Sequence, residues 1–94
     1  MNIGEAQNLV KSEFINIDNS EDEIVCILLN KETIEKPWGW VFFYQNQKFI
    51  ETNNIKYALA GNAPYLVNRH TGQLTTTGTA NSIEYYIKEY EQTL

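Results

Sequence analysis

Trp38-Gly39-Trp40-Val41-Phe42-Phe43-Tyr44 is the stretch on which the fold turns. Aromatic and β-branched side chains suit a pleated, half-buried surface, so residues 38–44 read as a strand. Side chains alternate across a strand, which puts Trp40, Phe42 and Tyr44 on one face and Gly39, Val41 and Phe43 on the other. Both faces are apolar. One is expected to meet helices, while the other meets the rest of the protein or is left for a partner.

Upstream, Ile24-Val25-Cys26-Ile27-Leu28-Leu29 predicts a strand over residues 23–30, apolar on both faces and so central or covered on each side. The charged residues 30–36 read as a connection, and Pro37, which has no amide hydrogen, marks a strand boundary. Downstream, Gln45-Asn46-Gln47 reads as a short turn into a return strand, Lys48-Phe49-Ile50-Glu51. Residues 54–60 predict one or two helical turns closed by Gly61-Asn62, and Pro64 then directs the chain into an extended Tyr65-Leu66-Val67. Residues 68–72 turn that strand back onto 73–77, a second hairpin.

Both ends read as amphipathic helices. Ile3, Ala6, Leu9, Val10, Phe14 and Ile17 recur at helical spacing behind an Asn2/Glu5 capping box, and the polar run 18–22 ends that helix. Ile83, Tyr86, Ile87, Tyr90 and Leu94 form the closing stripe, with Asn81 and Glu84 as a second capping box. The expected class is α+β: a single, mainly antiparallel sheet of about five strands with the N- and C-terminal helices packed on it.

Ninety-four residues suffice for one domain, residues 1–94, and 43% hydrophobic content is enough apolar material for a core. A single cysteine, Cys26, allows neither an intramolecular disulfide nor a cysteine-based metal cluster, and fits a reducing compartment. Without a basic segment ahead of an apolar run near Met1, and without an apolar run near the ~20 residues of a membrane span, the expected location is the cytoplasm. The net charge of −5 is uneven: residues 1–35 carry eight acids against two bases, residues 36–80 one acid against four bases. An acidic total disfavours nucleic acid and favours a basic protein partner.

Catalytic chemistry finds little support. His70, the sole histidine, sits in a predicted turn beside Arg69 and Thr71, far in sequence from both aspartates that could orient it. One His and one Cys are too few for a tetrahedral zinc centre. Asp18, Glu21, Asp22 and Glu23 lack the spacing and central glycine of a calcium loop and read as a solvated connection able to help dock a partner. Glu35 and Glu51 are not placed opposite each other by any pattern, and the scattered glycines cradle no phosphate. No cofactor is expected. Trp38, Trp40, Phe42 and Tyr44 read first as core and second as interface anchors, and Tyr85 lies off the final helix's apolar stripe.

Several separated segments resemble the bacterial immunity protein 35 family, small antidote-like partners in polymorphic toxin systems. They are Gly39-Trp40-Val41-Phe42-Phe43-Tyr44, Phe49-Ile50-Glu51-Thr52, Leu59-Ala60-Gly61-Asn62-Ala63-Pro64, the hairpin ending Thr71-Gly72, Gly78-Thr79-Ala80 and Glu84-Tyr85-Tyr86-Ile87, covering residues 38–90. The resemblance implies a non-enzymatic bacterial antidote that binds a cognate toxin domain and blocks it by occlusion. With the spare aromatics and the acidic charge, it makes Trp38, Tyr44, Tyr57 and Tyr85 the candidate contact residues, and Glu21, Asp22 and Glu23 their electrostatic helpers. The alternative is a chaperone-like or adaptor protein that shields exposed apolar segments of clients.

Overall fold

The computed structural model describes residues 1–14, 25–59 and 62–94. Helix α1, Ile3–Glu13, starts at the expected capping box: Asn2 Oδ1 accepts from the Glu5 amide at 2.8 Å, and Glu5 Oε1 accepts from the Asn2 amide at 3.1 Å. Each bond satisfies an amide that has no partner within the helix. Its inner face buries Ala6, Val10 and Phe14, whereas Ile3 stays exposed. Ile17 lies outside the described residues.

The strands are β1 (Cys26–Leu28), β2 (Ile34–Lys36), β3 (Gly39–Phe42), β4 (Tyr44–Asn46), β5 (Tyr65–Asn68) and β6 (Leu74–Thr76). They form two antiparallel sheets, β1-β4 and β2-β3-β5-β6, in place of the expected single sheet. Register explains the division. Leu28 faces Tyr44 and Ile34 faces Val41, so the β1–β2 side of this long hairpin contains three more residues than the β3–β4 side. Those three, Asn30–Glu32, coil into a 3₁₀ turn that interrupts the ladder.

Two further expectations are corrected. Residues 48–51 are not a return strand but part of helix α2, Gln47–Thr52, because Asn46 caps it from one end and Asn53 closes it in the left-handed conformation (φ 54°) at the other. The charged connection before Pro37 instead contains strand β2, an outer strand able to carry Glu35 and Lys36 because its outer side is not covered by another strand.

Helix α3, Ile83–Gln92, is capped by Ser82, whose Oγ accepts from the Tyr85 amide, not by Asn81. The Asn81 amide donates to the Tyr86 hydroxyl.

The two faces of β3 behave as the alternation predicted. Trp40, Phe42 and Tyr44 pack with Ala6, Val10 and Phe14 of α1, together with Tyr65 and Val67. Val41 packs with Leu66 and Ile87 of α3, and half-buried Phe43, Ile83 and Tyr90 lie against that cluster. Each terminal helix thus covers one face of the sheet. Trp38 joins the α3 side, since the chain is still turning at Pro37-Trp38 before β3 begins. Asn68, buried at the end of β5, builds the hairpin turn: its Oδ1 accepts from the His70 and Thr71 amides and its Nδ2 donates to the Tyr90 hydroxyl. Gly72 completes the turn at φ +72°.

Candidate protein-interaction surface

The candidate contact residues fall in different places. Trp38 is 7% exposed, with its ring 4.7 Å from Tyr90 and its indole N–H donated to Glu91 at 3.0 Å. Tyr44 is 5% exposed on the opposite face, stacked on Tyr65 at 5.2 Å and tilted against Phe14 at 5.3 Å. Burial, then the neighbouring Tyr65, pushes the Tyr44 phenol well above its ordinary range. Tyr85 is exposed, and its hydroxyl donates to Glu89 at 3.1 Å, a bond that raises its pKa. Glu21, Asp22 and Glu23 lie outside the described residues. Tyr57 alone sits within a built surface feature.

That feature is residues 45–59, and it is constructed from two side chains at its base. Gln45 Oε1 accepts from the amides of Asn46 (2.9 Å) and Leu59 (2.8 Å), tying the end of the segment back to β4. Asn46, 7% exposed, accepts from the Lys48 amide at 3.1 Å and donates Nδ2 to the Tyr57 carbonyl at 3.0 Å. Between these anchors run α2 and a 3₁₀ turn, Ile55–Tyr57, which Asn54 caps by accepting from the Lys56 amide at 3.0 Å. The backbone is held by side chains from the sheet, so what it displays is positioned in advance of any partner.

It displays apolar groups framed by cations. Ile55 is 84% exposed and Ile50 48%. The Lys48 and Lys56 ammonium groups lie 5.3 and 5.4 Å from the centroid of the Tyr57 ring, within cation–π range. An isoleucine left in water at this level forgoes about 1.5–3 kcal/mol of burial, which a partner's apolar cleft supplies. Sequence reasoning missed Ile50 because a strand was expected at 48–51, and Ile55 because it was read only as part of the helical turns expected over residues 54–60. The readable signal was an asparagine at each end of the segment, Asn46 and Asn53, the residue type that starts helices and tolerates left-handed closure.

His70 is exposed in the Asn68 turn, and no three His, Cys, Asp or Glu side chains gather at a metal-binding spacing among the described residues. Among the same residues, no helix is long and apolar enough to cross a membrane.

Over 53 residues the chain is 38% identical to the uncharacterized protein YrhB of Escherichia coli (strain K12), a stretch covering 56% of this chain and 56% of that protein. No solved structure matches it. The model of the family described as Immunity protein 35 matches residues 5–93, from α1 through the end of α3, and the chain belongs to that family.

Proposed function

We propose that this protein, acting as one domain over residues 1–94 in the bacterial cytoplasm, is an antidote that binds the toxin domain of a polymorphic toxin system and blocks it by occlusion without chemistry of its own. Family membership supports an immunity role. The observation that carries the mechanism is the preformed segment 45–59 with Ile55 84% exposed at its outer turn. Occlusion asks for such a feature: an ordered projection that enters a cleft loses little conformational freedom on binding.

A stable complex needs about 800 Å² from each partner. The exposed surface of this chain is 6141 Å², so more than one short segment must take part. Tyr57 belongs to the projection, and Tyr85 is an exposed aromatic on α3. Glu21, Asp22 and Glu23 add electrostatic steering toward a basic partner. Trp38 and Tyr44 contribute from beneath by fixing the sheet.

Co-expression with the toxin encoded beside it tests the proposal. Rescue of growth, saturable 1:1 binding and loss of both in Ile55→Asp with an unchanged melting temperature are expected. Cells dying as fast with the protein as without it, or suppression of unrelated proteins' aggregation without 1:1 binding, would overturn it.

A further inference from the structure

Three outer features of the fold are unused by the segment described above, and they coincide along β6. First, β6 is the last strand of its sheet. The Asn68 amide donates to the Gln73 carbonyl and the Thr77 amide to the Pro64 carbonyl, and Leu66 lies opposite Thr75. Antiparallel pairs alternate between bonded and non-bonded, so Gln73, Thr75 and Thr77 turn their backbone groups toward β5. Leu74 and Thr76 turn theirs outward, where no backbone or side-chain group among the described residues meets them.

Second, this edge is unguarded. The strand at the other end of the sheet, β2, carries Glu35 and Lys36 and runs into Pro37, features that discourage pairing with a foreign strand. Leu74-Thr75-Thr76-Thr77 has no charge, no proline and β-branched residues at three of four positions.

Third, a groove of about 500 Å³ runs between β6 and α3, walled by Thr75, Tyr86, Tyr90, Gln92, Thr93 and Glu89. Glu89 is its one charged lining residue and forms no ion pair among the described residues. Its Oε1 accepts from the Tyr85 hydroxyl, which fixes the carboxylate on the helix.

We infer that the outer edge of β6 is a strand-addition site for an extended segment of a protein partner that carries a lysine or arginine. The segment hydrogen-bonds to the backbone of Leu74 and Thr76, and side chains on one of its faces enter the groove, where the basic one meets Glu89. Charge complementarity selects this occupant over a second copy of the chain, because residues 73–77 hold no basic side chain to offer a neighbour's Glu89. The inference does not require the partner to be a toxin.

The test begins with the protein alone. Hydrogen exchange followed by NMR is expected to show fast exchange at the Leu74 and Thr76 amides and at least ~100-fold slower exchange at Thr75. Protection of Leu74 and Thr76 in the free protein, or protection that grows with protein concentration as a self-dimer requires, would overturn the inference.

The probe is an acetylated nonapeptide of alternating serine and valine with arginine at its centre. It is expected to protect Leu74 and Thr76, to bind at least ~10-fold more tightly than the same peptide with central glutamate, and to lose that preference in Glu89→Gln. N-methylation of its edge-facing amides is expected to abolish binding. Equal binding of both peptides to the unaltered protein, or binding that leaves the Leu74 and Thr76 amides unprotected, would refute the assignment.

Discussion

Gly39 lies against the carbonyl of Val67 so closely that a Cβ on residue 39 would overlap the Val67 oxygen and come within 2.9 Å of its carbonyl carbon. The backbone there has φ +157°, so β3 enters the sheet through a position where a side chain meets both steric overlap and strain.

Gly39→Ala is therefore expected to lower stability by about 3 kcal/mol or more, through backbone strain and overpacking together. Gly78 makes the informative contrast. A Cβ there meets only the Tyr86 side chain, its hydroxyl at 2.6 Å and the ring carbon that bears it at 3.1 Å, and no backbone atom. Gly78→Ala is expected to lose about 1 kcal/mol, through the displaced bond to the Asn81 amide. Urea denaturation of both variants measures the difference.

Asn46 holds two jobs, capping α2 and fastening Tyr57. Asn46→Ala removes both and is expected to lose about 2–3 kcal/mol, while Asn46→Ser keeps an acceptor for the Lys48 amide and loses roughly half of that. Hydrogen exchange across residues 47–57 should rise in the alanine variant well before global unfolding, because the projection is released from its base.

Arg69 ranks above its ion-pair partner. The Arg69–Glu35 pair, at 3.1 Å, has a 69% exposed carboxylate, so Glu35→Gln is expected to change stability by less than about 0.5 kcal/mol. Arg69 also donates to the Lys36 carbonyl at 2.7 Å and places its guanidinium 4.7 Å from the Trp40 ring centroid. Arg69→Ala is expected to lose about 1–2 kcal/mol, and Arg69→Lys to recover only part of it, since an ammonium lacks the flat face that stacks on the indole. Thermal unfolding of the three variants gives the ranking.

Alkaline pH should unfold the protein through Tyr44. Its folded pKa is raised above the ordinary 10.0, so the folded state keeps a proton that the unfolded state releases. That contribution is complete below pH 10 and declines above it, by up to about 1.4 kcal/mol per pH unit. Tyr44→Phe is expected to flatten the fall in stability between pH 10 and 11. Denaturant titrations at stepped pH measure the slope.

The sequence was most legible where one periodicity ran unopposed. The Asn2/Glu5 box and the spacing of Ala6, Val10 and Phe14 announced α1, and Gly72 between two β-rich runs announced the β5–β6 hairpin. The two apolar faces of residues 39–43 were readable from alternation, as was the cover of one of them by helices, but the other was left open to a partner, and that α1 takes one face and α3 the other was not readable. Strand β2 escaped notice because Glu35 and Lys36 look like a linker until a neighbouring strand supplies the pairing. The three-residue coil at Asn30–Glu32 left no mark in composition, so the division into two sheets could not be foreseen. At the candidate surface, aromatic identity pointed to Trp38 and Tyr44, which tertiary packing then enclosed. Exposure of Ile55 is a property of the finished shape, set by Asn46 and Gln45 reaching across from the sheet.

Because both broad sides of the four-stranded sheet are occupied by the chain's own terminal helices, the sheet itself is left open only along its edges. Ile50 and Ile55 belong to neither buried cluster, so replacing them leaves the packing of the core in place. The outermost turns can therefore be rewritten one residue at a time while the interior is inherited unaltered.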